Sequence, residues 1–206
     1  MSPRTAQQFK EIREEKMNLI MDVALEHFAK EGYFRTTISH IARHAGISKG
    51  LMYNYFESKD ALLQAIVHKS VNEVYHNLDI DRDGYLSNEE FENFIRKLDK
   101  MLKEKKYFWQ LLFQLIVQND VREQFLRAFP ETDSLIHPGH EPGDTNYPWQ
   151  ILKMIRDYFT RKKGTNDPET EISMFYISMA GFAVKSIYSN ADDTEKEMKR
   201  IIELFK

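Results

Sequence analysis

The sequence predicts an all-α protein, and three observations support this fold class. Apolar residues recur every three or four positions through almost the whole chain, as they do on one face of a helix. The alternating pattern of a half-buried strand is almost absent. Glycine, proline, serine and threonine stand between the periodic segments, where helices begin and end. With 206 residues, 42% of them hydrophobic and 13% aromatic, the chain has enough apolar side chains for one or two packed domains.

The first third of the chain predicts four helices, at 9–30, 38–45, 49–56 and 59–78. Gly32 ends the first helix, and Thr37, Ser48 and Ser58 are suited to cap the next three, because serine and threonine hydroxyls accept hydrogen bonds from free amides. Gly46 permits a sharp turn in "HAGIS". Two short helices that meet at a glycine turn indicate a helix-turn-helix, whose second helix enters the major groove in DNA-binding proteins.

The rest of the chain predicts a helical bundle, with helices at 88–105, 107–129, 148–163, 168–190 and 193–206. A segment rich in proline, glycine and aspartate, at 130–147, is predicted as a long loop. Helix 168–190 has more apolar side chains than one neighbouring helix would cover, among them Ile172, Phe175, Tyr176, Met179, Phe182 and Ala183. We therefore predict that the last two helices, residues 168–206, form a two-fold interface with a second copy of the chain.

The composition argues against several classes of protein. Cysteine is absent, so there are no disulfides, thiolate metal ligands or catalytic thiols. The chain does not open on a charged and then apolar leader, and its longest apolar run, "YFWQLLFQLIV", is shorter than the roughly 20 residues that a bilayer requires. No nucleophile with an adjacent base and no phosphate-binding loop stands out. We expect a cytoplasmic protein that is not an enzyme and does not enter a membrane.

Positive charge is concentrated around the predicted helix-turn-helix. Four basic residues and one acidic residue lie between Arg35 and Lys59, a net charge of +3 in a chain whose formal net charge is −3. Lys49 and Gly50 occupy the first turn of the second helix, the part that meets base edges in such motifs. Lys49 is therefore the predicted base-reading residue, and Gly50 would allow close approach of the backbone.

Three further residues are candidates for DNA contacts. Thr37 and Ser48 place hydroxyls and free amides at helix N-termini, which suit phosphate oxygens. His44 is a candidate because it could face the groove, although surface histidines are more often simply solvated.

The stretch "TTISHIARHAGISKGLMYNYFESKDALL" at 36–63 contains paired threonines, Ala-Gly-Ile-Ser, a Tyr-x-Tyr-Phe run and Ser-Lys. It resembles the DNA-binding signature of the TetR/AcrR transcriptional regulators, and the preceding "ALEHFAKEGYFRTT" extends the resemblance to about residues 10–63. Tyr53 and Lys59 match positions that the family implies to touch the DNA backbone.

The resemblance implies two domains and a function. Residues 1–60 would form a three-helix DNA-binding domain, the 59–78 helix would link the domains, and 79–206 would form a helical-bundle domain for effector binding and dimerisation. The chain would then be a repressor that binds a palindromic operator as a homodimer. An unidentified small-molecule effector would shift helix packing in the second domain, and the linking helix would change the spacing of the recognition helices.

The acidic loop, "DIDRDGYLSNEE" at 79–90, has two interpretations. In the first, Asp83 and Gly84 form a turn, and Ser87 with Glu90 forms a capping box that begins the next helix. That interpretation leaves Asp79, Asp81 and Asp83 unexplained, because three carboxylates crowded at a turn repel one another unless a cation lies among them.

In the second interpretation the acidic loop holds Ca²⁺, because its spacing resembles the EF-hand calcium loop. The candidate ligands, with the carbonyl of Tyr85 and a water-mediated contact from Ser87, are Asp79, Asp81, Asp83, Tyr85, Ser87 and Glu90. The oxygen ligands and a bidentate glutamate favour calcium over magnesium. The alternative function for the chain is therefore a calcium-responsive helical binding module in which DNA reading is lost or secondary.

Overall fold

A computed structural model describes residues 6–78, 83–118, 121, 147–162, 167–189 and 194–206. These ranges contain nine α-helices: α1 (Ala6–Glu31), α2 (Ile38–His44), α3 (Lys49–Tyr53), α4 (Lys59–Leu78), α5 (Asn88–Glu104), α6 (Lys106–Ile116), α7 (Tyr147–Arg161), α8 (Pro168–Tyr188) and α9 (Glu195–Phe205). The described ranges contain no strand, so the predicted all-α fold class is confirmed. None of these helices is long and apolar enough to cross a membrane.

Local hydrogen bonds explain where the early helices begin. The side-chain hydroxyls at three helix starts each accept a hydrogen bond from the amide three residues further on. The distances are 3.2 Å for Thr37, 3.1 Å for Ser48 and 2.9 Å for Ser58. Gly46, between α2 and α3, has φ +66°, a left-handed conformation that other residues rarely adopt. The predicted caps and the predicted glycine turn of the helix-turn-helix are therefore present.

The helix predicted at 107–129 is interrupted, because α6 stops at Ile116 and Val121 is again helical. The amide of Gln118 bonds to the carbonyl of Leu115 at 3.2 Å, which tightens the last turn. The Gln118 side chain donates to the carbonyl of Phe28, at 3.1 Å, and accepts from the amide of Tyr33, at 3.3 Å. Gln118 thus contacts the distant end of α1 at the point where α6 ends, and residues 119–120 and 122–129 lie outside the described part of the chain.

The described residues group into two compact units, one from 1–69 and 111–128 and the other from 70–110 and 129–206. In the first unit α1 packs against α2, and α2 packs against α3. Its buried apolar side chains include Ile20, Ala24, Leu25, Phe28, Ile41, Ala42, Met52, Leu62 and Ile66. Helices α1, α2 and α3 and the start of α4 therefore all contribute side chains to the core of this unit.

The second unit packs α5, α7, α8 and α9 around an aromatic core. Phe91 lies within it, stacked on Tyr158 with ring centroids 4.6 Å apart and 5.4 Å from the ring of Phe175. The other large members of the core include Phe94, Ile95, Met154, Phe159, Phe182, Ile201 and Phe205.

The core of the second unit corrects one prediction about helix 168–190. Ile172, Phe175, Met179 and Phe182 are buried inside their own chain, so they cannot form the surface that was predicted to contact a second copy. The apolar face of α8 that is exposed instead contains Met174, Ile177 and Tyr188. The sequence indicated more apolar side chains on this helix than one neighbouring helix would cover. It could not show which of them the chain itself buries.

One buried carboxylate holds three helices of the second unit together. Asp99 on α5 accepts hydrogen bonds from Ser186 on α8, at 3.2 Å, and from Thr194 at the start of α9, at 3.1 Å. Lys103, one turn further along α5, donates to its other oxygen at 2.8 Å. The buried charge is therefore paired and hydrogen-bonded, as burial of an ionised group requires.

Candidate nucleic-acid interface

The recognition helix α3 is anchored on one side and open on the other. Met52 is fully buried between the helices of the first unit, as are Ile41 and Ala45 of the preceding helix and turn. Lys49 and Gly50, in the first turn of α3, are exposed although Met52 of the same helix is buried. The first turn of α3 is therefore exposed to solvent.

Gly50 shows why this surface suits a close partner. A Cβ atom built at Gly50 would meet no other atom within 4 Å, so nothing in the described protein requires a glycine there. Glycine inside a helix costs about 0.5–1 kcal/mol relative to alanine. The residue is thus explained better by an external partner that approaches the backbone than by packing within the chain.

The other side chains of α3 extend the exposed surface. Tyr53 is 46% exposed, and its contact with the DNA backbone stays a prediction. Leu51, which sequence reasoning passed over, is also exposed, whereas Phe56 is buried. Sequence analysis could have found Leu51, because it lies one position before the buried Met52 on a helix.

Lys59, predicted to contact a phosphate, makes several contacts within the protein itself. Its ammonium donates to the carbonyls of Tyr33, at 2.9 Å, and Thr36, at 3.1 Å, and lies 4.3 Å from the centre of the Tyr33 ring. Burial lowers the pKa of Lys59. The side chain therefore holds the connection between α1 and α2, and its contact with a phosphate stays a prediction.

The exposed charges of the region are mostly positive. Arg35, Arg43 and Lys49 are exposed, and Glu57 is the exposed acid within the same stretch. Thr37 and Ser48 are also exposed, although each hydroxyl already accepts the capping hydrogen bond described above. A surface with several cations near two helix N-termini is suited to phosphate groups.

His44 belongs to a group of three histidines that the sequence analysis did not recognise, the histidine cluster His27, His40 and His44. Each pair of rings in the cluster has centroids 4.5 Å apart. Glu31 accepts a hydrogen bond from Nδ1 of His27 at 2.6 Å, and this bond lowers the pKa of the Glu31 carboxyl. Burial lowers the pKa of His40. The sequence contained a signal for this cluster. His27 and Glu31 are four residues apart, as are His40 and His44, and this spacing puts each pair on one helix face.

The family model for bacterial regulatory proteins of the tetR family matches residues 20–66, the part of the chain that contains α2, α3 and the start of α4. Residues 20–66 form a TetR-family helix-turn-helix domain. The predicted resemblance over about 10–63 is therefore confirmed for this domain.

Relatives in bacteria support the assignment of the TetR domain. The uncharacterized HTH-type transcriptional regulator YerO of Bacillus subtilis (strain 168) is 33% identical over 128 residues, which are 59% of this chain and 44% of that protein. The uncharacterized regulator YuxN of the same organism is 46% identical over 54 residues, 26% of this chain and 19% of YuxN. The matched part of the chain thus spans less than half of each of these relatives.

Solved TetR-fold structures resemble the whole chain in fold. Native NalD, the secondary repressor of the MexAB-OprM multidrug efflux pump in Pseudomonas aeruginosa, has a TM-score of 0.65 at 15% identity, covering 94% of each chain. FadR from Bacillus subtilis in complex with stearoyl-CoA has a TM-score of 0.65 at 17% identity, covering 91% of this chain and 96% of that one. At such identities the similarity concerns the fold: a TetR helix-turn-helix domain followed by a helical domain.

The acidic loop lies outside the TetR domain and is described only in part, because Asp79 and Asp81 lie outside the described residues. Gly84 has φ +75°, and Asp83 accepts a hydrogen bond from the amide of Tyr85 at 2.7 Å. Ser87 and Glu90 complete a capping box at the start of α5. The predicted turn and capping box are confirmed, and the Ca²⁺ site stays a prediction.

Proposed function

We propose that the protein is a TetR-family transcriptional repressor that binds a palindromic DNA operator as a homodimer. The observation that carries this proposal is the exposed first turn of α3, where Lys49 and Gly50 face outward while Met52 anchors the helix. This surface lies inside the segment that matches the TetR family model. Selection of bound fragments from random and genomic DNA tests the proposal and identifies the operator.

Dimer formation is proposed through the α8 seam, which we define as Met174, Ile177, Gly181 and Tyr188. All four residues are exposed, and they are separated by three, four and seven positions, so they lie along one face of α8. Gly181 would let the two helices approach closely. A two-fold dimer would place two recognition helices about 34 Å apart, the spacing of successive major-groove half-sites.

A response to a small-molecule effector is proposed from the fold. FadR from Bacillus subtilis, which this chain resembles in fold, binds stearoyl-CoA in its solved structure. In this chain, residues 59–69 of α4 belong to the first unit and residues 70–78 belong to the second. A ligand that repacks the second unit would therefore act on a helix that continues into the DNA-binding unit.

Lys49→Ala should reduce operator affinity by about 1–3 kcal/mol and relax specificity at one base pair, because a lysine that contacts a base edge discriminates between bases. Fluorescence anisotropy titrations on the selected operator and on random DNA measure both affinities. Lys100→Ala is the matched control, since Lys100 is 74% exposed on α5 and is not part of the TetR domain. Equal losses on the operator and on random DNA would contradict the base-reading role.

We also propose that the acidic loop binds Ca²⁺, a proposal supported by its ligand spacing and by the positive φ of Gly84. A lone loop lacks the partner that stiffens paired EF-hands, so we expect a Kd of about 10⁻⁴–10⁻³ M. If the chain binds Ca²⁺ but selects no DNA, the alternative function as a calcium-responsive binding module is favoured.

Calorimetry with CaCl₂ measures Ca²⁺ binding directly, and the melting temperature should rise in millimolar CaCl₂ and fall on adding a chelator. Asp79→Asn with Asp81→Asn should remove both effects. Asp192→Asn with Asp193→Asn, a second pair of aspartates, should leave them unchanged. Absence of binding heat in the wild type would leave the acidic loop as a capped turn.

A further inference from the structure

We infer that the histidine cluster binds one divalent transition-metal ion of the Zn²⁺ type, which fastens α2 to α1 within the DNA-binding unit. Each histidine has one ring nitrogen that could bind a metal, and these three nitrogens all lie within 4.8 Å of one another. Nitrogen ligands of a tetrahedral Zn²⁺ lie roughly 3.3 Å apart when each Zn–N distance is about 2.0–2.1 Å. Small rotations of the three rings would therefore bring the nitrogens around one ion.

Hydrogen bonds at Nδ1 determine which nitrogens are available. A carboxylate or carbonyl oxygen can only accept, so Nδ1 of His27 donates to Glu31 at 2.6 Å, and Nδ1 of His44 donates to the carbonyl of His40 at 3.0 Å. Nδ1 of His40 lies 3.4 Å from the second oxygen of Glu31. In the neutral rings of His27 and His44 this leaves Nε2 with the lone pair that a metal requires.

Glu31 has the position of an outer-shell carboxylate. Metal-binding histidines commonly donate their second ring N–H to a carboxylate or a backbone carbonyl, which holds the ring and raises its basicity. Here one carboxylate faces two of the three rings, and a backbone carbonyl faces the third. The arrangement thus supplies both the ligands and their supports, with water as the fourth ligand.

The chemistry of the ligands selects the class of metal. Three imidazoles suit Zn²⁺, Ni²⁺ and Cu²⁺, whereas Ca²⁺ and Mg²⁺ require oxygen ligands, such as those of the acidic loop. The cluster joins His27 on α1 with His40 and His44 on α2, so a bound ion would link residues that are distant in sequence. The inference does not depend on DNA binding, because occupancy acts first on the packing of the two helices.

The test is calorimetric titration of the untagged 206-residue chain with ZnCl₂ at neutral pH, after treatment with EDTA and dialysis. We expect one Zn²⁺ per chain and a higher melting temperature in ZnCl₂ than in EDTA. His40→Gln with His44→Gln should weaken binding by more than about 100-fold, and Glu31→Gln should weaken it by about 10- to 100-fold. Binding of Co²⁺ should give visible absorption bands of a tetrahedral site in the wild type and lose them in the double variant.

The matched control is His137→Gln with His140→Gln, which removes two of the four histidines outside the cluster and should leave Zn²⁺ binding unchanged. If the cluster variant does not fold, His44→Gln alone serves in its place, because His44 is exposed and its loss should not disrupt the core. The inference is overturned if the wild type does not bind Zn²⁺. It is also overturned if the cluster variant binds as tightly as the wild type, or if only the control variant loses binding.

Discussion

Ile177→Glu should convert the proposed dimer into a folded monomer and lower operator affinity by about 10²- to 10⁴-fold. Ile177 is 66% exposed at the middle of the α8 seam, so a glutamate there does not disturb the core of its own chain. In a two-fold dimer, however, the new carboxylate would be buried opposite its own copy or close to it. Without a dimer, each half-site would be bound separately, and the gain from binding two half-sites at once would be lost.

Light scattering coupled to size-exclusion chromatography measures the mass in solution, and anisotropy titrations on the palindromic operator measure the affinity. Leu19→Glu is the control, because Leu19 is an apolar residue on α1 that is 43% exposed and lies outside the seam. The control should remain dimeric. A wild type that is monomeric at micromolar concentration, or an Ile177→Glu variant that remains dimeric, would rule out the proposed interface.

Phe91→Ala should destabilise the second unit by about 3–5 kcal/mol, which is enough to unfold a protein of marginal stability. Phe91 is fully buried, and its ring contacts the rings of Tyr158, Phe159 and Phe175. Truncation would remove apolar contacts from three helices and leave a cavity that rigid aromatic rings fill poorly. Leucine is larger than alanine and would leave a smaller cavity, so Phe91→Leu should lower the free energy of unfolding by less than Phe91→Ala.

Urea unfolding followed by circular dichroism measures the change in the free energy of unfolding. Tyr107→Ala is the matched control, because Tyr107 is 55% exposed on α6 and its loss should change stability little. A loss below about 1 kcal/mol for Phe91→Ala would mean that the aromatic core repacks around the gap, contrary to our expectation.

The sequence by itself determined the features that depend on neighbouring residues. The caps at Thr37, Ser48 and Ser87 and the turn at Gly46 each involve hydrogen bonds or backbone angles within a few positions, and all of them are present as predicted. The position of Lys49 in the first turn of α3 followed from the same local rules. Residue types and spacings suffice for such features because a cap or a turn is formed by adjacent parts of the chain.

Only the tertiary structure decided which helix faces are covered and which side chains meet. It assigned Met179 to the core and Ile177 to the surface, ended α6 where Gln118 contacts the end of α1, and placed the ammonium of Lys59 on the carbonyls of Tyr33 and Thr36. It also brought His27 of α1 against His40 and His44 of α2. These outcomes depend on contacts between residues far apart in sequence, because helical periodicity indicates how many apolar faces a helix has but not which neighbour covers each one.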